Sequence, residues 1–133
     1  MRLSRRYSFS ASHRLYSDRL SNEANVRIFG KCANPNGHGH NYGLTVTVQG
    51  PIDPLTGFVM AIPELDEIVN ERVLFVYEHK YLNLDVEDYF DVVPTGENIA
   101  KKVWERLEEP LKGRIFQVII AETSNNRFEY PEY

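Results

Sequence analysis

The stretch Lys31–Tyr42, KCANPNGHGHNY, carries the only cysteine of the chain and two of its four histidines. His38 and His40 are two apart, and on a strand that spacing sends both imidazoles to one side, where they can reach one metal ion. A third ligand has to come from elsewhere. His13, at the end of an alternating segment, is the candidate if the first two long strands pair. Three neutral imidazoles with an open fourth position form the pattern of a catalytic zinc; without metal, the same side chains would be half-buried histidines bonded to backbone. Gly37 and Gly39 flank His38 and leave a bare backbone that a ligand could approach. Cys32 has three readings: a fourth zinc ligand, a thiolate base or nucleophile beside the metal, or a small buried apolar group. Spacing leaves them open. Glu78-His79 sets an acid beside an imidazole, but strand neighbours face opposite ways, so the pair matters only if a turn brings the two together. Glu122 finishes an apolar row of Phe116, Val118 and Ile120 and needs a partner there, either a cation such as Arg127 or a ligand presenting N–H donors.

The elements that must position these groups are partly visible. In MRLSRRYSFSASH, Leu3, Tyr7, Phe9, Ala11 and His13 share one face of a strand, with Arg5 as an exception. HGHNYGLTVTVQG alternates in the same way, and its two histidines continue the apolar face of Tyr42, Leu44, Val46 and Val48. The cluster GPIDPLTG predicts a turn, and FVMAI a short return strand. Pro63 followed by Leu65, Ile68, Val69 and Val73 predicts a helix over about 63–74. Thr95 as N-cap, then Ile99, Val103, Trp104 and Leu107, predicts a second helix ending near Pro110. The segment between them reads as irregular. GRIFQVIIAET and RFEY predict a hairpin turning on Asn125 and Asn126. The expected order β, β, β, α, α, β, β gives an α+β fold, an antiparallel sheet with two helices on one face.

At 133 residues the chain is expected to form one domain spanning 1–133. A net charge of −4 and the lack of any basic stripe with interleaved aromatics argue against nucleic acid as a partner. No apolar run is long enough for a membrane span. One cysteine cannot form an internal disulfide, and MRLSRRYSFS lacks the apolar core of a secretory signal, so the cytoplasm is the expected compartment.

The motifs FSASHRL, IFGKC, NPNGHGHNY, TVTVQGPIDPLTGFVM, EHKYLN, DVVPTGEN and ETSNN, in this order, resemble those of the 6-pyruvoyl-tetrahydropterin synthases, and the animal-type branch in particular. Five residues separate Cys32 from His-Gly-His; the related 6-carboxy-tetrahydropterin synthases of queuosine synthesis typically have three. The resemblance implies the tunnelling fold, with subunits assembling into trimeric barrels that stack as a homohexamer. It implies Zn2+ on His13, His38 and His40, Cys32 as the proton-abstracting base outside the coordination sphere, and a proton-transferring His79 tuned by Glu78. It places Glu122 as the pterin anchor, with Thr95 and Glu97 around the pocket. The implied reaction, part of tetrahydrobiopterin biosynthesis, converts 7,8-dihydroneopterin triphosphate to 6-pyruvoyl-tetrahydropterin with loss of triphosphate. Arg14, Arg27, Lys31 and Lys80 lie beside the motifs as candidate cations for the triphosphate. Three positions depart from the family pattern: Glu78 stands for an aspartate, Gly96 for a second threonine, and Ala61 for a polar residue. They leave open the carboxy-forming reaction and a non-catalytic pterin-binding paralogue.

Overall fold

The computed structural model describes residues 1–133. Strands β1 (Arg2–His13) and β2 (His38–Gln49) pair antiparallel along their whole length, Arg2 opposite Gln49 and His13 opposite His38. Strand β4 (Ile115–Ala121) adds antiparallel to β2, and β5 (Arg127–Tyr130) antiparallel to β4. The two-residue β3 (Lys80–Tyr81) runs parallel to β1 at the other edge, so the order is β3-β1-β2-β4-β5 and the sheet is mixed at that edge rather than antiparallel throughout.

Two helices cover one face of this sheet, as expected for an α+β chain. Leu65 and Val69 of α2 (Ile62–Val69) and Ile99, Val103 and Leu107 of α5 (Gly96–Glu108) join Phe9, Tyr42, Leu44, Val46, Val118 and Ile120 in one buried cluster. Arg5, the exception in the β1 pattern, is explained by α2. Its Nε and Nη2 donate to the Asp66 carboxylate, each at 3.0 Å, and the Tyr7 hydroxyl donates to the same group at 2.7 Å. The guanidinium holds the Asp66 carboxyl below the usual carboxylate range.

The helix expected over 63–74 keeps α geometry only to Val69. A wider π-type turn, Asn70–Leu74, leads into one last helical turn, α3 (Phe75–Tyr77). The buried positions Leu65, Val69, Val73 and Tyr77 explain this: they repeat every four residues, and each step overshoots a turn of 3.6. A wider turn brings the row back onto one face.

FVMAI is not a strand. Residues 51–60 form a loop closed on Asp53, whose carbonyl accepts from Gly57 N–H and whose N–H donates to Phe58 O, while β2 is already flanked by β1 and β4. Val59 and Met60 are buried nonetheless, and the Val59 carbonyl is taken by the Arg114 guanidinium. The hairpin turn is also wider than two residues. The ladder closes at Ala121 opposite Arg127, and Thr123 Oγ1 organises the loop by accepting from Asn125 N–H and donating to Asn126 Oδ1. A bulge opposite Thr47/Val48 places Ile115 in the core instead of Phe116, which stacks on Tyr133 beneath Arg2.

Two further helices carry no clear sequence pattern: α1 (Asn22–Phe29), capped by Ser21 Oγ on Ala24 N–H, and the short α4 (Leu82–Asp85). The apolar residues of α1 give no core-facing stripe, since Val26 and Ile28 are more than half exposed. Ala61 occupies the N-cap of α2 with extended backbone and no side-chain cap. Ala61→Ser is therefore expected to stabilise the chain by about 1 kcal/mol, read as a higher urea midpoint; an unchanged midpoint would show that water already satisfies those N–H groups.

Candidate active site

Register alone assembles the histidines. With His13 opposite His38, and Ala11 opposite His40, the side chain at 13 lies across from His38 and diagonal to His40 on one face, and the three ring centroids stand 4.7–5.1 Å apart. Their ligating atoms all lie within 4.8 Å of one another. His13, wholly buried, donates from Nδ1 to the Pro94 carbonyl at 2.8 Å. A carbonyl can only accept, so this bond fixes the tautomer and leaves His13 Nε2 with a bare lone pair, 3.2 Å from His38 Nε2. The Tyr42 hydroxyl also reaches His13 Nδ1, at 3.2 Å. Burial holds the pKa of His13 and of His38 below the ordinary histidine value, so both rings are neutral at pH 7. His40 Nε2 is buried with no hydrogen-bond partner. Three converging imidazoles, two of them neutral by burial and one with an orphaned nitrogen, fit a metal ion better than any arrangement of protons.

The three histidines are evident from sequence, whereas the roles of Pro94 and Tyr42 emerge only from the structure. Tyr42 was visible in principle, two residues beyond His40 on the same face; a backbone carbonyl leaves no trace in composition. Gly37 also has a reason other than ligand access. Its φ is +67°, and a Cβ there would lie 2.7 Å from the His13 carbonyl oxygen, so the bare position lets the turn close on the β1 end.

Cys32 lies half-buried in a 3₁₀ turn, Gly30–Ala33, whose carbonyl at Cys32 accepts from Leu15 N–H at 2.8 Å. Its sulfur is outside the three-histidine group. Burial, then the charge of Glu122, push its thiol upward. Glu122 sits just past β4 with its carboxylate 3.9 Å from His40 Nε2 and its side chain only 13% exposed. Arg127 does not neutralise it, being paired with Glu129 at 2.8 Å. Thr95 caps α5, its Oγ1 accepting from Asn98 N–H, and Glu97 is exposed in the first turn. The preceding residue is Pro94, so this helix start is tied directly to His13.

Glu78 and His79 are elsewhere. A turn does bring them together, with His79 Nε2 3.1 Å from Glu78 Oε1, while Glu78 Oε2 accepts from Ser10 N–H at 3.1 Å. His79 lines a groove with Ser10, Ser12, His40, Asn41 and Lys80. Ser10 and Ser12 alternate with Ala11 and His13, so their side chains face the opposite side of β1 from His13. Among the candidate cations, Arg14 is engaged, its Nε donating to Ala33 O and its guanidinium stacked on Tyr16; Arg27, Lys31 and Lys80 are exposed.

The model of the 6-pyruvoyl tetrahydropterin synthase family matches residues 2–132. The chain belongs to this family. It is 50% identical over 129 residues to the 6-pyruvoyl tetrahydrobiopterin synthase of Homo sapiens, covering 96% of this chain and 89% of that one. The enzyme of that name from Dictyostelium discoideum is 45% identical over 128 residues, covering 96% and 93%. The solved 6-pyruvoyl tetrahydropterin synthase of Caenorhabditis elegans superposes with a TM-score of 0.93 at 39% identity, over 100% of this chain and 96% of that one. Within the synthase frame, Gly96 has a packing reason. A Cβ at 96 would lie 2.0 Å from Phe128 Cε2, so the ring fills the space of a side chain there. Gly96→Ala is expected to cost about 1–3 kcal/mol by overlap, against a gain of at most about 1 kcal/mol from helix propensity. The cost should shrink in a Phe128→Val background; equal costs in both backgrounds, by urea unfolding, would remove the ring as the cause.

Proposed function

We propose that this chain catalyses the conversion of 7,8-dihydroneopterin triphosphate to 6-pyruvoyl-tetrahydropterin, with release of triphosphate, in tetrahydrobiopterin biosynthesis in the cytoplasm. The observation that carries the reading is the trio of converging imidazoles His13, His38 and His40, with an uncompensated Glu122 3.9 Å from His40, in a chain of this family. The reaction needs no external reductant, because the ring gains the hydrogens that the side chain loses.

His13, His38 and His40 would hold Zn2+. A zinc ion there supplies Lewis acidity to the side-chain oxygens of the substrate and a positive charge that lowers the pKa of a nearby thiol. Cys32, outside the ligand set, takes the proton from substrate carbon. The Glu122 carboxylate accepts hydrogen bonds from the 2-amino group and the ring N–H of the pterin, and those donors answer the lack of a cation beside it. Thr95 keeps its hydroxyl proton to donate while its oxygen caps α5. Glu97 lies one residue beyond Gly96 at the same helix start. His79 moves protons on the other side of the substrate, oriented by Glu78. The longer side chain of Glu78, relative to aspartate, is used to reach Ser10 N–H and His79 together.

Since His79 lies beside Ser10 and Ser12, which face away from His13, one copy alone does not gather the whole set. A homo-oligomer, a hexamer built as a dimer of trimers, completes it, with edge strands β3 and β5 available to extend the sheet into barrels. Glu122→Gln tests the anchor. The variant should fold and keep its metal while its pterin affinity drops at least about tenfold, because the amide no longer offers two acceptors. Unchanged binding would remove Glu122 from the site.

A further inference from the structure

The segment that delivers Glu78 and His79 adjoins a partly buried polar network that the proposed chemistry does not use, with Tyr77 and Tyr89 buried and the Asp88 and Arg106 side chains 18% and 26% exposed. Tyr77, fully buried, immediately precedes Glu78. Its hydroxyl donates to Asp88 Oδ2 at 2.7 Å and accepts from the Tyr89 hydroxyl at 2.9 Å. Arg106 of α5 grips the same Asp88 carboxylate at both oxygens, from Nε at 2.5 Å and from Nη2 at 2.9 Å. Its Nη1 donates to the Arg72 carbonyl at 3.2 Å, inside the π-type turn. One guanidinium therefore ties both the wide turn and, through Asp88, the end of α3 to the second helix.

Such a network is expensive where an apolar contact would serve. A buried hydroxyl must find its partners, and phenylalanine would fill the Tyr77 position without that demand. What needs holding lies next in the chain. His79 has φ of +58°, a left-handed conformation that costs a non-glycine residue about 1–2 kcal/mol and persists only when its surroundings fix it. The His79 side chain is 80% exposed, and Glu78 is its only side-chain partner. Its place is set by the backbone: on one side His79 N–H donates to Ser10 O at 2.6 Å, and on the other stands Tyr77.

We propose that Tyr77, Asp88, Tyr89 and Arg106 form a positioning network that fixes the Glu78–His79 turn, with Tyr77 as the residue through which it acts. The inference rests on the proposed role of His79. Tyr77→Phe removes one oxygen and keeps the ring against Phe9. In the full-length, metal-loaded protein it should lower kcat about tenfold with KM unchanged, since a displacement near an ångström suffices for that. The decisive readout is a double-mutant cycle with His79→Ala. A network acting through His79 has no further effect once the imidazole is gone, so Tyr77→Phe should leave kcat of His79→Ala within about twofold. Equal losses in both backgrounds, or no loss in either, would overturn the inference. Should His79→Ala alone leave kcat intact, the role proposed for His79 fails, and the inference with it. Tyr89→Phe, a milder change at the far end, should show the same pattern at smaller size, and a loss that persists in His79→Ala would contradict the proposal even if Tyr77→Phe proves unstable.

Discussion

Cys32→Ala is expected to abolish turnover, lowering kcat by about 10²–10⁴, the range that a positioned general base contributes, while the protein retains its metal. Two observations make the separation clean. The sulfur stands outside the three-histidine group, so its loss leaves that group intact; and the bond that holds the turn, Leu15 N–H to the Cys32 carbonyl, belongs to the backbone and survives. Metal analysis and kinetics on one preparation check it. Activity with metal retained and kcat unchanged would show that another group takes the proton. Lost metal would make Cys32 a ligand, and cobalt substitution would then show an intense thiolate-to-cobalt band in the unmodified protein.

The second large effect is expected at His40. His40→Leu keeps most of the volume but removes the buried Nε2 that no group in the chain satisfies. Metal affinity and turnover should both be lost. The metal-free variant, in contrast, should be at least as stable to urea as metal-free wild type, because an unpaired buried polar atom costs about 1–3 kcal/mol. Metal should raise the stability of wild type alone, by about 2.7 kcal/mol at a hundredfold excess over Kd. A metal-free variant much less stable than metal-free wild type would mean that His40 serves the fold and not an ion. His13 does not allow this test, since its Nδ1 is already committed to the Pro94 carbonyl and its ring is wholly buried.

Period-two patterning made β1 and β2 legible, and with them the histidine cluster, because the face of a strand residue follows from its parity once the pairing is guessed. The same patterning failed at β4, where a bulge moves Phe116 out of the core and Ile115 in. Parity is lost wherever a strand takes an extra residue. The helix expected over about 63–74 was legible as apolar spacing, but its wide turn and its last turn to Tyr77 were not, because a repeat of four differs from 3.6 only when summed over several turns. β3 was invisible: two residues, one of them exposed, carry no pattern, and only their neighbours in β1 define them as a strand. At the site, residue types announced the three histidines, Cys32 and Glu122. What the sequence could not state was the face on which each group opens. His79 is near β1 in space yet beside Ser10 and Ser12, which face away from His13, and this separation is the ground for proposing a site shared between copies of the chain.

The most direct test of the proposed activity is the mass of the pterin formed when zinc-loaded protein meets 7,8-dihydroneopterin triphosphate under anaerobic conditions. The expected product keeps all three side-chain carbons, as 6-pyruvoyl-tetrahydropterin, with one triphosphate released per turnover. A product lacking two of those carbons, or tight binding without turnover, would contradict the proposed activity.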